Sequence, residues 1–235
     1  MKKYIVYTML CLSAVQFVHA QGNTYADISQ ISTPYKYLNE GSFYGKNFFF
    51  ETRWVKAKLL LADNSVVNID SLLYNYDKID HRLLITSDFK KIFEIDHREF
   101  KAVLFYGLDT AYIFKHINYI NDKDLFQVIV NDKSKYSLYK VVRTKLVKGS
   151  YGATSFNTAG GKSSDVYLDA PEYYIFFPNR EYITLHMLKK LSIQRAFKLN
   201  PDCDRVDEFL SKGGNKEYKE SDLIQLVRYL NQSIL

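Results

Sequence analysis

Residues 55–86 read VKAKLLLADNSVVNIDSLLYNYDKIDHRLLIT. Val55, Ala57 and Leu59 alternate with Lys56 and Lys58, so an extended chain has one apolar and one basic face, as a half-buried strand requires. Asp63-Asn64-Ser65 is turn chemistry, and Val66 to Ile69 resumes the strand, which predicts a hairpin. Leu72 to Tyr76 and Arg82 to Thr86 flank a second polar turn. Two hairpins in 32 residues set the fold class as β.

The same period continues downstream in Ile92 to Ile95, Phe100 to Tyr106 and Ala111 to Ile117, and in Phe126, Val128 and Val130. Tyr136 to Leu146 reads as one longer strand. Tyr173 to Phe177 and Tyr182 to His186 are separated by Pro178-Asn179-Arg180. Closely spaced short strands of this kind predict a mainly β (α+β) chain, an antiparallel meander forming a sandwich or a partly closed barrel over residues 46–186. Aromatic residues make up 16% of the chain and suit pleated packing and broad contact surfaces. A transmembrane barrel is disfavoured because Lys and Asp interrupt any lipid-facing band.

Beyond His186 the period changes to 3.6, giving a helical C-terminal segment over 187–235 that packs on the β-rich domain. Met187 to Phe197 forms the first of about three helices. Asn200 is placed to cap the second, with Pro201 at its first position and Gly213-Gly214 stopping it. Ser221 is placed to cap the third, whose apolar side carries Leu223, Leu226, Val227, Leu230 and Ile234. Residues 21–45 form a polar, Tyr-rich extended lead-in. Residues 149–164, GSYGATSFNTAGGKSS, hold four of the ten glycines and read as a long loop.

Residues 1–20 have the parts of a secretory signal peptide: Lys2 and Lys3, an apolar run from Ile5 to Val18, and Val18-His19-Ala20 before a cleavage point near Ala20. The run is shorter than the roughly 20 residues that span a bilayer, so the expected product is periplasmic or otherwise exported, soluble, and without a transmembrane span after signal removal. Cleavage lowers the formal net charge from +6 to +4. The remaining charge is spread along the chain, without the dense basic footprint of a nucleic-acid binder. Cys203 is the one cysteine left, so no intrachain disulfide can form.

Catalytic templates fit poorly. Gly160-Gly161-Lys162-Ser163 lacks the earlier glycine of a phosphate loop, Phe156 standing in its place. Of the four remaining histidines, His81, His97, His116 and His186, none has metal-ligand spacing to another, and neither a metal nor a cofactor is expected. His97 lies in Glu94-Ile95-Asp96-His97-Arg98-Glu99, where Asp96 or Glu99 could orient an imidazole for acid–base work. The same string reads equally as a charged turn between strands. Lys133, Lys135, Lys140, Arg143, Lys145 and Lys148 form a basic run without intervening acids. Lys140, Arg143, Lys145 and Tyr139 are candidate contacts for an anionic glycan or lipid head group. The alternative is a solvated edge strand guarded by lysine.

Leu72-Leu73-Tyr74-Asn75-Tyr76-Asp77, following a strand-turn-strand, resembles the N-terminal part of a group of secreted β-rich proteins common in Bacteroidota. The ending Glu220-Ser221-Asp222-Leu223-Ile224-Gln225-Leu226-Val227-Arg228-Tyr229-Leu230-Asn231 is similar to that group's last helix, with Leu230 where a second Tyr is frequent. The group has no assigned activity, so the resemblance implies a bacterial envelope setting and no active-site residues. The functional expectation is a non-enzymatic secreted protein that binds an envelope protein, glycan or lipid. The alternatives are a hydrolase of an envelope polymer using His97 with Asp96 or Glu99, and a periplasmic lipid carrier.

Overall fold

The computed structural model describes residues 36–38, 48–50, 53–89, 91–106, 110–132, 135–147, 166–179, 181–214 and 217–232. The signal segment, most of the lead-in and the loop over 149–164 lie outside the described residues. Three sheets and three helices make up the rest. A small sheet contains β1 (Lys36–Leu38), β4 (Leu73–Asp77), β5 (Arg82–Thr86) and β6 (Ile92–Ile95), in the order β1-β6-β5-β4. A large sheet contains β2 (Lys56–Leu61), β3 (Val66–Val67), β7 (Phe100–Tyr106), β8 (Tyr112–Ile117), β9 (Asn121–Val130), β10 (Ser137–Val141), β13 (Glu172–Phe176) and β14 (Tyr182–Leu185). Its order is β14-β13-β10-β9-β8-β7-β2-β3. The hairpin β11 (Thr144–Val147) with β12 (Val166–Asp169) stands as a third, two-stranded sheet. All pairings are antiparallel. The large sheet stays open, ending at β3 and β14, so the β-rich part is a sandwich and not a closed barrel.

The chain leaves the large sheet after β3, builds β4 to β6 of the small sheet, and returns as β7 to pair with β2. A corner joins the two sheets where Val55, just before β2, exchanges backbone hydrogen bonds of 3.0 and 2.7 Å with Tyr74 of β4. Between the sheets, Tyr74, Tyr76, Leu83 and Ile85 pack against Ala57, Leu59, Val103, Phe105 and Phe114. Phe49, Phe50, Phe105 and Phe114 interlock edge-to-face, with centroids 4.9 to 5.5 Å apart. These rings fill the interior.

Helices α1 (Lys190–Phe197), α2 (Cys203–Lys212) and α3 (Glu220–Asn231) cover the other half of the large sheet. Ile193, Phe197, Val206, Leu210, Leu223, Leu226, Val227 and Leu230 bury their stripe against Leu138, Tyr173, Ile175 and Leu185. Directly opposed residues of neighbouring strands share a face. The register Phe114↔Gln127↔Lys140↔Tyr173↔Leu185 therefore places the small sheet and the helices side by side on one face of the large sheet. Lys115, Phe126, Val128, Tyr139 and Tyr174 share the opposite, outer face.

Several boundaries differ from those expected. The long strand over 136–146 breaks at Val142 and Arg143, and β11 joins a different sheet. Strand β10 lies between β9 and β13, so it is interior and not an exposed edge. Helix α1 begins at Lys190, and α2 begins at Cys203 with Asp202 as its first flanking residue. Asn200 still serves that end of the chain, its Oδ1 accepting the Asp202 N–H at 2.9 Å. Helix α3 is preceded by Lys219, whose N–H donates to Asp222 Oδ2 at 2.9 Å, so Asp222 does the work expected of Ser221. At the end of α3, the Asn231 side-chain amide donates to Tyr136 O and accepts from Tyr136 N–H, both at 2.8 Å. Asn231 thereby reads the chain entering β10 as another strand would. Arg205 donates to the carbonyls of Tyr229 and Leu230 in the last turn of α3.

Three substitutions test this packing by urea unfolding. Phe114→Ala should cost about 3–5 kcal/mol, while Ile113→Ala, one residue away on the outer face, should cost less than about half as much. Asn231→Ala, which strands both backbone groups of Tyr136, should cost about 1–3 kcal/mol. A loss under about 0.5 kcal/mol would show that α3 docks through its apolar stripe alone.

Candidate functional site

The outer face of the large sheet carries a groove of about 1010 Å³. Strand β8 supplies its central cation. Phe114 is buried between the sheets, so the next residue, Lys115, emerges on the groove side. Half-buried, it holds Nζ 2.8 Å from Tyr139 Oη and 4.4 Å from the centre of the Tyr139 ring. Tyr139 and Phe176 form the floor, their rings edge-to-face at 5.1 Å, and Tyr119 packs on Phe176 at 5.9 Å while remaining 63% exposed. Lys101 also lines the groove and donates to Asn64 Oδ1 at 2.7 Å. Among the described residues, neither Lys115 nor Lys101 has a carboxylate within ion-pair distance. Arg98, at the groove's rim, is paired with Asp96 at 2.6 Å.

A second hollow of about 440 Å³ adjoins the first, and the two share His97, Phe100 and His116. His81 lies on its far wall. Three histidines thus surround one hollow. The His97 and His116 rings meet edge-on at 6.2 Å, and Phe100 lies 4.9 Å from His116. His116 Nδ1 is 3.2 Å from the Asp124 carbonyl, the arrangement of an Nδ1–H donor. Its Nε2 is buried with no hydrogen-bond partner among the described residues. Burial pushes His116 down to about 4, and burial likewise lowers His81 despite the opposing pull of Asp124. Among the described residues no group of three or more His, Cys, Asp or Glu is placed to hold a metal ion.

Of the three weak catalytic candidates, only His97 enters the hollows. Asp96 lies 3.5 Å from His97 Nδ1, but its carboxylate takes three hydrogen bonds from the Arg98 side chain and one from the Arg98 N–H. Arg98 thereby holds it down at about 2, where it stays an anion at any working pH. Glu99 lines neither hollow and closes a backbone turn with Asp96.

The four residues expected at an anionic-ligand site do not converge. Tyr139 faces the groove, whereas the next residue, Lys140, faces the helices and pairs with Glu220 at 2.7 Å. Lys145 is exposed on β11. Arg143 turns inward, donating through Nη2 to Asp124 and through Nε to Glu172, both at 2.8 Å. Asp124, only 2% exposed, also accepts from Asn121 Nδ2 at 3.0 Å and lies 3.4 Å from His81 Nδ1. The Tyr76 hydroxyl is 3.0 Å from that same nitrogen. Burial works to raise Glu172, yet the Arg143 and Tyr174 hydrogen bonds outweigh it and keep the carboxyl below its ordinary range. The chain of polar contacts Tyr76–His81–Asp124–Arg143–Glu172 links β4 and the β4–β5 turn to β9 and β13.

Local sequence singles out neither Lys115 nor Asp124, because Tyr139, the partner of Lys115, and the charged partners of Asp124, Arg143 and His81, lie 19 to 43 residues away along the chain. The one local signal for Lys115 is a lysine between Ile113 and Ile117, on the same side of a strand. No family model, curated protein or solved structure matches the chain. Among the described residues, no helix is long and apolar enough to cross a membrane.

The buried histidines set a pH dependence. An imidazole held neutral in the fold binds fewer protons than in the unfolded chain, so stability is intact above about 6.5 and falls as pH drops toward 4. The expected loss is on the order of 2 kcal/mol after allowing for partial solvent access. Urea midpoints measured across that window should show this slope, and His116→Gln should flatten it. An unchanged slope in the variant would assign the effect to His81 or to the carboxylates.

Proposed function

We propose that this chain is a non-enzymatic binding protein of a bacterial envelope, exported to the periplasm or beyond, which holds an anionic ligand in the groove beside Lys115. The observation that carries this reading is the half-buried Lys115 cation, fixed over the Tyr139 ring with no carboxylate partner among the described residues. Removing a charge from water costs free energy that is usually repaid by an opposite charge nearby. Elsewhere the protein repays it internally, as in Arg143 with Asp124 and Glu172 or Lys140 with Glu220. In the groove, a ligand's anion would do so. The envelope setting is supported by the signal-like residues 1–20 and by the resemblance of the 72–77 and 220–231 stretches to secreted Bacteroidota proteins.

The other two expectations receive less support. A hydrolase built on His97 would need a carboxylate free to orient the imidazole, and Asp96 is engaged by four hydrogen bonds from Arg98 while Glu99 lines neither hollow. A lipid carrier would need room for an acyl chain, and the space between the sheets is filled by interlocked phenylalanines.

Titration with dextran sulfate at low ionic strength, followed by calorimetry, tests the anion site. Binding should weaken as salt rises and should fall about tenfold in Lys115→Met, the equivalent of one good charged contact. Equal affinity in the variant, or no binding by the wild-type protein, would refute the reading.

A further inference from the structure

Resting on the binding role proposed above, we infer that the groove's ligand is an acidic polysaccharide: a hydroxyl-rich chain carrying sparse carboxylates. Charge density is the first reason. Three lysines line the groove, Lys101, Lys115 and Lys135, against the two carboxylates Asp122 and Asp132, while Asp96 neutralises Arg98. A polyphosphate or nucleic acid places a negative charge on every repeat, and its binding sites are strongly basic in net terms. A groove whose cations barely exceed its carboxylates suits a ligand with an occasional anion.

Hydrogen-bonding capacity is the second reason. Around the lysines, Asn118 and Asn131 offer amides and Asp122 offers a carboxylate, which as an anion only accepts. All three are used by a ligand that brings its own negative charge as well as donors. Sugar hydroxyls supply them, whereas a fatty acid or an unsubstituted phosphate ester has none to spare.

Ring presentation is the third. Tyr139 and Phe176 pave the floor, and Tyr119 stands on Phe176 with most of its surface in solvent. The exposed Tyr119 ring, set beside polar groups, suits packing on the flat, partly apolar face of a pyranose. A vesicle would instead meet an inset groove whose lysines lie beside carboxylates, a poor match for a flat anionic surface.

Calorimetric titration should use the full mature chain with five probes: polygalacturonate with most of its carboxylates methyl-esterified, so that charges are sparse, uncharged dextran, polyphosphate, a single-stranded oligonucleotide and phosphatidylglycerol vesicles. The expected result is binding of polygalacturonate but not of dextran. Affinity should drop about tenfold both in Lys115→Met, through lost charge, and in Tyr119→Ala, through lost stacking. Because Tyr119 is largely exposed, its truncation should leave the circular-dichroism spectrum and the melting temperature unchanged, and Lys101→Gln provides a second surface variant. Preference for polyphosphate, the oligonucleotide or vesicles, or a Tyr119→Ala variant that binds polygalacturonate as well as the wild type, would overturn the polysaccharide assignment while leaving an anion site. Failure of every anionic probe, dextran sulfate included, would remove the anion site as well.

Discussion

An eight-stranded sheet has two faces, and hydrophobic strands can remain in water only if at least one is covered. Here a single face takes both covers. The small sheet occupies the β2, β7, β8 and β9 half, and the helices occupy the β10, β13 and β14 half. Neither cover is sufficient alone: three helices of 8 to 12 residues are too short to persist without a surface to pack on. The sheet and its two covers consequently stabilise one another, and polar ties are found where they meet.

Asp124 and Asn231 are two such ties, and they differ in kind. Asn231 satisfies backbone groups at the end of β10 with its own amide, a neutral exchange that costs little desolvation. Asp124 is a buried charge and must be surrounded by compensating groups: Arg143 from the β10–β11 break, Asn121 from β9 and His81 from the β4–β5 turn. That requirement explains two backbone features. Arg143 interrupts the strand expected over 136–146, and its guanidinium reaches inward. His81 adopts a left-handed φ of 56°, and its ring reaches the same carboxylate. The Lys78 ammonium adds a further link from this turn to Asp169 of β12 at 2.8 Å.

How much of this could be read from the chain follows from distance along it. Alternation in 55–61 and the turn at 63–65 are contained within a few residues, so the first hairpin and most later strands were legible. So were the helical tail and its stop at Gly213-Gly214, where Gly214 takes a positive φ of 66°. Sheet membership was not, since period two shows that β4 is a strand but not that it leaves the sheet of β2. The break at Arg143 depends on Asp124 and Glu172, 19 and 29 residues away, and without them the segment reads as one strand. The basic run likewise looked like a shared patch because a strand's alternation had not been combined with its neighbours: Tyr139 and Lys140 point to opposite faces, and the helices claim Lys140. The three histidines share a hollow although no spacing among them suggests it.

The outer face then carries the functional weight by default of the packing. At its centre Phe126, Tyr139, Tyr174 and Phe176 pack together. What those rings leave open toward β7 and β8 is a groove whose floor is aromatic and whose charge is lysine. A structural lysine at that position would be expected to find a carboxylate, as Lys78, Lys140 and Lys212 do. Lys115 instead has a phenol, which orients the ammonium without neutralising it. A cation held in a fixed place with its charge uncompensated is poorly explained as a support for the fold, and well explained as one half of an interaction whose other half arrives from solution.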